Sequence, residues 1–210
     1  EVFPRRATER LIRHAFARAR ERLAARGQGS RDFHCANRGR AAAQVCLITK
    51  RNAQPFWGDL YTEVFAEVAA EFPEIGVHHE LVDAACMKFV QCPWTFDVVV
   101  ASNLHGDILT DLAAVLSGGL GLAPSCNINP DSRAMPALFE PTHGSAPDIV
   151  GQGLANPAAM LLTTALMLDW VGCAQAAERL RLAVAKDLAT TAGQQRTCRD
   201  VTAGVIAALH

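Results

Sequence analysis

The sequence predicts an α/β protein built on a parallel sheet. Two observations carry this reading. Apolar runs of strand length at 44–49, 77–82 and 96–101 alternate with longer segments of helical period. The run at 96–101 is almost continuously apolar, as expected of a strand covered on both faces.

The elements follow in order. Residues 8–25 place Leu11, Ile12, Ala15, Phe16 and Ala19 on one side of a helix with arginines opposite, and Pro4 and Thr8 suit its start. Residues 27–40 are rich in Gly, Arg, Ser and Asn, break every pattern and are expected to form a mobile loop. Residues 44–49 form a short buried strand, and 60–70 an amphipathic helix that stops near Pro73. Strands are expected at 77–82 and 96–101, then a helix at 104–116 ended by Gly118 and Gly119. Helices at 155–171, 174–188 and 201–209 complete the chain. There is no internal repeat. The Gly-rich stretch at 118–121 suggests a division into domains of residues 1–118 and 119–210.

With 50% hydrophobic and 20% charged residues, the 210-residue chain can bury a core. A net charge of −1 gives no footprint for nucleic acid or an anionic membrane. No apolar stretch is long enough to span a bilayer, and the first residues lack the apolar segment of a secretory signal. Seven cysteines without a C-x-x-C pair are the pattern of reduced thiols, which points to a cytoplasmic or organellar-matrix protein.

Two segments carry chemistry. Asn103-Leu-His-Gly-Asp107-Ile-Leu-Thr-Asp111 sets two carboxylates four residues apart at the start of an apolar-periodic run, so a helix presents them on one face. They would repel in water, and a divalent cation between them resolves the repulsion. The simpler alternative is a solvated helix face. Glu140-Pro-Thr-His143-Gly144-Ser145-Ala146-Pro-Asp148 is a loop of short side chains that permits close backbone approach by a nucleotide. The alternative is a turn with a capping Asp, although Gly151, Gly153, Asn156 and Pro157 add to the nucleotide reading. His78, His79 and Glu80 with Asp83 and Cys86 could suggest zinc, but neighbouring strand residues point to opposite faces, so His78 and His79 cannot ligate together. The Arg5, Arg6, Arg10 and Arg13 run is expected to be a solvated helix face rather than a phosphate patch, and His105 a structural residue.

With these residues in view, the chain resembles the metal-dependent β-decarboxylating dehydrogenases of isopropylmalate, isocitrate, homoisocitrate and tartrate or D-malate. The likeness runs from Glu1 to about Val171 and is most specific over 103–122; the segments at 49–54 and 127–133 look most like the tartrate/D-malate branch. It implies an isopropylmalate-dehydrogenase-like two-domain fold, with 1–118 a small α/β domain bearing dimer and metal segments and 119–210 part of the large cofactor-binding domain. It implies that Lys50 is a catalytic base reaching across a homodimer, in an environment that favours the neutral amine. Asp83 would be a catalytic and metal-ligand carboxylate donated across the dimer, completing with Asp107 and Asp111 a Mg²⁺ or Mn²⁺ site that chelates the substrate and stabilises the enolate. Asn52, Glu140, His143, Gly144, Ser145, Ala146, Asp148 and Asn156 would hold the cofactor, with Glu140 near the nicotinamide. Asp148 would accept hydrogen bonds from the ribose and repel a 2′-phosphate, so NAD is expected rather than NADP.

The chain departs from the family pattern in several places. The likeness starts in the middle of the family sequence, so the first strands of the large domain and three substrate-clamping arginines are expected to be missing. Phe3 is expected to stand where the family carries a proton-donating tyrosine. The 27–43 loop is longer than the family's connection, and 189–193 replaces a usual Gly-Gly turn. The function expected is NAD-dependent oxidation, with or without decarboxylation, of a small 2-hydroxy dicarboxylic acid such as tartrate, D-malate or isopropylmalate, carried by a partial chain acting as a homodimer. The alternative is an inactive degenerate fragment or a non-catalytic regulatory or interaction subunit. Without the arginines, the chain alone is expected to show no turnover.

Overall fold

A computed structural model of the chain describes residues 2–26, 33–35 and 39–209. The chain is mixed α/β with a parallel sheet, and it divides into two compact units, Glu1–Leu112 and Ala113–His210.

The first unit is organised by a three-stranded parallel sheet of order β4-β3-β5, with β3 (Gln44–Thr49), β4 (Gly76–Leu81) and β5 (Val98–Ala101). All six residues of β3 are buried. The run expected to be covered on both faces is thus an edge strand, with Val98, Val99 and Ala101 only partly buried, and the central place falls to β3. One sheet face carries α1 (Arg5–Arg26) and α2 (Pro55–Ala70), and Ile12, Phe16, Val45, Leu47, Val64, Phe65 and Val68 share one apolar cluster. At about 25 cal/mol per Å² of apolar surface, each such large side chain contributes roughly 1.5–3 kcal/mol on burial. Helix α2 begins at Pro55, whose fixed φ and missing N–H suit a first helical position.

Two regions differ from expectation. Within the stretch expected to be a loop, β1 (Phe33–Cys35) pairs antiparallel with β2 (Gly39–Ala41); residues 27–32 and 36–38 lie outside the described residues. The hairpin packs at the start of β4, where a Cβ on Gly76 would collide with Cys35 Sγ and Ala41 Cβ. Val82, expected to end a strand, instead opens helix α3 (Val82–Gln91). Lys88 and His78 both bond Glu80, fastening α3 to β4. Burial alone would push Glu80 up, but those two partners outweigh it and hold the carboxyl below its ordinary range.

Several arginines of α1 pair with other segments. Arg5 bonds Glu63 and Glu67, Arg13 bonds Glu71, and Arg20 bonds Glu74. At its other end, Arg22 and Arg26 grip Asp97 at 2.7 and 2.5 Å, with the Asp97 side chain wholly buried.

The second unit stacks α5 (Ala158–Trp170), α6 (Ala174–Thr190) and α7 (Cys198–Leu209), with an antiparallel ribbon of β6 (Pro124–Asn127) and β7 (Leu138–Pro141) packed on α5. Its core is built on small residues, Ala158, Ala165, Ala177 and Ala183, with Leu180, Val184 and Val205. Small side chains let helices approach closely. Gly204 of α7 lies against the ion pair of buried Asp187 with the half-buried Arg196, whose Nη1–Oδ2 distance is 2.7 Å. Among the described residues no helix is long and apolar enough to cross a membrane.

Gly204 provides a test of this packing. A Cβ there would overlap Asp187 Oδ1 and lie 2.5 Å from Arg196 Nη2. Gly204→Ala is expected to destabilise by roughly 1–3 kcal/mol, the scale of overpacking a closely filled contact. By contrast Gly106→Ala, where nothing lies within 4 Å, should be neutral or stabilising. Urea midpoints for the two variants measure the difference.

Candidate active site

In a parallel sheet every strand leaves at the same edge, and ligands collect there. Here β3 ends at Thr49, β4 at Leu81 and β5 at Ala101, and Thr49 pairs with Leu81 while Ile48 pairs with both Glu80 and Ala101. The segments that follow carry Lys50, Asp83 and the start of α4 (Asn103–Leu116).

Lys50 and Asp83, distant in sequence, meet at this edge: Nζ to Oδ1 is 2.9 Å. Asp83 occupies the first turn of α3, where unsatisfied N–H groups face an acidic side chain. The Lys50 ammonium, then the N–H groups of Asp83 and Ala84, hold its carboxyl below the usual carboxylate range. Within one chain Lys50 is therefore one half of an ion pair. Asn52 is exposed in the turn after Lys50, a turn closed by Ala53 and Gln54 N–H groups bonding the Lys50 carbonyl at 2.9 and 2.8 Å.

Helix α4 presents Asp107 and Asp111 on one exposed face. Among the described residues no three His, Cys, Asp or Glu side chains group to hold a metal ion within the chain. The donors nonetheless suit a hard cation: all are carboxylate oxygens, and Asp83 is kept ionised. His105 is buried with its ring 5.4 Å from that of Trp57, a packing position as expected. Phe3 also packs, stacked on Trp57 at 5.3 Å and edge-on to Tyr61. His78 bonds Glu80 while His79 bonds Thr49, so the two histidines serve opposite faces of β4.

In the second unit Glu140 lies on β7 opposite Ser125, with Asn127 Nδ2 3.5 Å from Glu140 Oε1. The loop after it exposes Gly144, Ser145, Ala146 and Asp148. His143 Nδ1 lies 2.9 Å from the Gly144 carbonyl oxygen. Ala146 adopts the left-handed conformation, φ 46°, directly before the short 3-10 turn Pro147–Ile149 that carries Asp148. Gln152 Nε2 donates to the Asp148 carbonyl at 2.7 Å, tying the turn closed. Asn156 Oδ1 accepts from Ala158 N–H at the head of α5, and Gly121 leaves room for its side chain. Beside Asn156 an open cavity of about 830 Å³ is lined by Leu188, Thr191, Arg196, Thr197 and Asp200 among others. Its walls come from two stretches far apart in sequence, 154–156 and 188–201, and of these residues only Asn156 was expected at a site.

Comparison with known proteins agrees with the geometry. Residues 1–205 match the isocitrate/isopropylmalate dehydrogenase family, so the likeness continues well past residue 171, where it was expected to weaken. A 3-isopropylmalate dehydrogenase of Thermobifida fusca is 46% identical over 187 residues, covering 89% of this chain and 48% of the relative. One from Nocardia farcinica is 44% identical over 189 residues, 90% of this chain and 50% of the relative. The chain thus spans about half the length of these curated relatives. The crystal structure of isocitrate dehydrogenase from Methylococcus capsulatus superposes with a TM-score of 0.84 at 36% identity, over 99% of this chain and 57% of that one. A Thermus thermophilus protein superposes at 0.82 with 30% identity, over all of this chain and 40% of that one. The two named relatives carry a different acid in their names from the tartrate/D-malate branch suggested by residues 49–54 and 127–133.

The Lys50–Asp83 pair sets a pH dependence. A depressed carboxylate value means the attraction is intact at neutral pH and is lost as pH falls through that lowered value. Lys50→Ala should let the Asp83 carboxyl titrate back up toward an ordinary aspartate, as followed by its carbon-13 chemical shift. A titration that does not move upward would contradict the pair.

Proposed function

Because this chain belongs to the isocitrate/isopropylmalate dehydrogenase family, we propose that it carries part of an active site that oxidises a 2-hydroxy dicarboxylic acid with NAD, with or without decarboxylation. The observation that carries the reading is the ion pair of Lys50 and Asp83 at the sheet's carboxyl edge, next to the strand that delivers Asp107 and Asp111. The candidate acids are isopropylmalate, which the relatives' names favour, and tartrate or D-malate.

The residues divide the work. Lys50, aimed by Asp83, takes the proton of the substrate hydroxyl once its ammonium has released its own proton to solvent. Asp107 and Asp111 from one chain and Asp83 from a second copy would hold Mg²⁺ or Mn²⁺. When bound, such a cation supplies Lewis-acid polarisation of the substrate oxygens. The shared site calls for a homodimer, and the exposed Met87, Val90, Leu104 and Ile108 of α3 and α4 support an apolar contact between copies. On the cofactor side, Asp148 accepts ribose hydroxyls, with His143, Gly144, Ser145, Ala146 and Asn156 shaping the loop. Asn52 and Glu140 serve the nicotinamide end.

Two measurements test this. Calorimetric titration of the dimeric protein should show Mn²⁺ binding that Asp107→Asn weakens by roughly tenfold or more, since a ligand charge is lost. Unchanged affinity would remove Asp107 from the site. The protein should also bind NAD more tightly than NADP, and Asp148→Lys should narrow or reverse that order by exchanging repulsion of a 2′-phosphate for attraction. Tighter NADP binding by the unaltered protein would defeat the role given to Asp148.

A further inference from the structure

Thr49 is the last residue of β3, fully buried, and Lys50 follows it directly. Two groups converge on its hydroxyl. The Arg51 N–H donates to Thr49 Oγ1 at 3.3 Å, and His79 Nε2 lies 2.8 Å away. A backbone N–H can only donate, so Oγ1 accepts there, and its bond to Nε2 runs in the direction that the ring's tautomer sets. Burial, then the charge of Arg51, pushes His79 below its ordinary range, in keeping with a neutral ring.

His79 sits on β4, four residues before Asp83, on the sheet face it shares with Leu47 and Thr49. This one hydroxyl therefore links the end of β3 to β4 and also holds the Arg51 amide in the turn that presents Lys50. We propose that Thr49 and His79 are positioning residues for Lys50, fixing the direction in which its amine leaves the sheet. The proposal rests on Lys50 being the working amine of the site. Lys50 itself makes no bond to either residue among its described partners; its side chain is placed only through the backbone between Thr49 and Arg51 and through Asp83. Losing the hydroxyl would free the turn while leaving the apolar face of β3 filled.

The test reads the amine itself. The 210-residue chain is acylated with limiting activated ester and its lysines are quantified by peptide mass mapping, with exposed Lys186 as internal reference. Thr49→Val keeps the shape and removes the hydroxyl. It should change the Lys50 rate relative to Lys186 by about threefold or more, the scale of one net hydrogen bond. Thr49→Ser should restore the original ratio, which a purely space-filling role would not require. If Thr49→Val does not fold by circular dichroism, His79→Leu against His79→Gln makes the same comparison, since only Gln keeps a hydrogen-bonding group. A Lys50 rate unchanged in a folded hydroxyl-free variant, or a Ser variant that behaves as Val does, overturns the proposal. A shifted Lys50 rate together with Mn²⁺ binding that Asp107→Asn leaves unchanged would uphold the positioning and instead count against the site proposed around Lys50.

Discussion

The parallel register of β3 with its two neighbours is the constraint on which the first unit depends. Because Thr49 pairs with Leu81 and Ile48 with Ala101, the chain leaves the sheet three times at one edge. Each exit carries a charged residue of the candidate site within one or two turns. A slip of one residue in β3 would exchange its two faces, driving Cys46 and Ile48 toward α1 and α2 and turning Val45 and Leu47 away from the core they fill. The same slip would separate Lys50 from Asp83. Packing and site geometry are thus set by one pairing, and the wholly buried β3 makes that pairing hard to alter.

The helices were legible because their apolar residues recur with helical period over many turns, and the structure extends most of them by only a few residues. Helix α3 was not. It follows β4 without a break, its preceding residue Leu81 is extended and supplies no capping side chain, and Val82 continues the apolar run of the strand. Strands β1, β2, β6 and β7 have only three or four residues each, too few for a period to declare itself. The spacing of Asp107 and Asp111 could be read directly as one face of a helix. The meeting of Lys50 with Asp83, and of Thr49 with His79, could not, since both depend on which strands are neighbours and in what register.

The arginines of α1 illustrate how little a run of charge says by itself. Apart from Glu9 and Glu21 within α1 itself, their glutamate partners lie between Glu63 and Glu74, so α1 faces α2 and the segment after it across a seam of opposite charges. Each exposed pair contributes little, and their combined effect is to favour one alignment of two helices whose apolar faces alone would tolerate several. Asp97 differs in kind. Its side chain is withdrawn from water, so its two arginines and the Gln44 N–H are required to offset desolvation, and together they hold the carboxyl below its ordinary range.

Ala146 has a bearing beyond its place in the loop. An L-residue in the left-handed region gives up roughly 1–2 kcal/mol that glycine would not, and the neighbouring Gly144 shows that the loop has glycine at its disposal. A methyl group at that site biases the unfolded backbone away from the left-handed region, so the turn between His143 and Asp148 keeps its shape through the bonds that close it, the Gln152 amide on the Asp148 carbonyl among them. The conformation is thus imposed on Ala146 by its surroundings, and the strain held there is released wherever those bonds are exchanged for others.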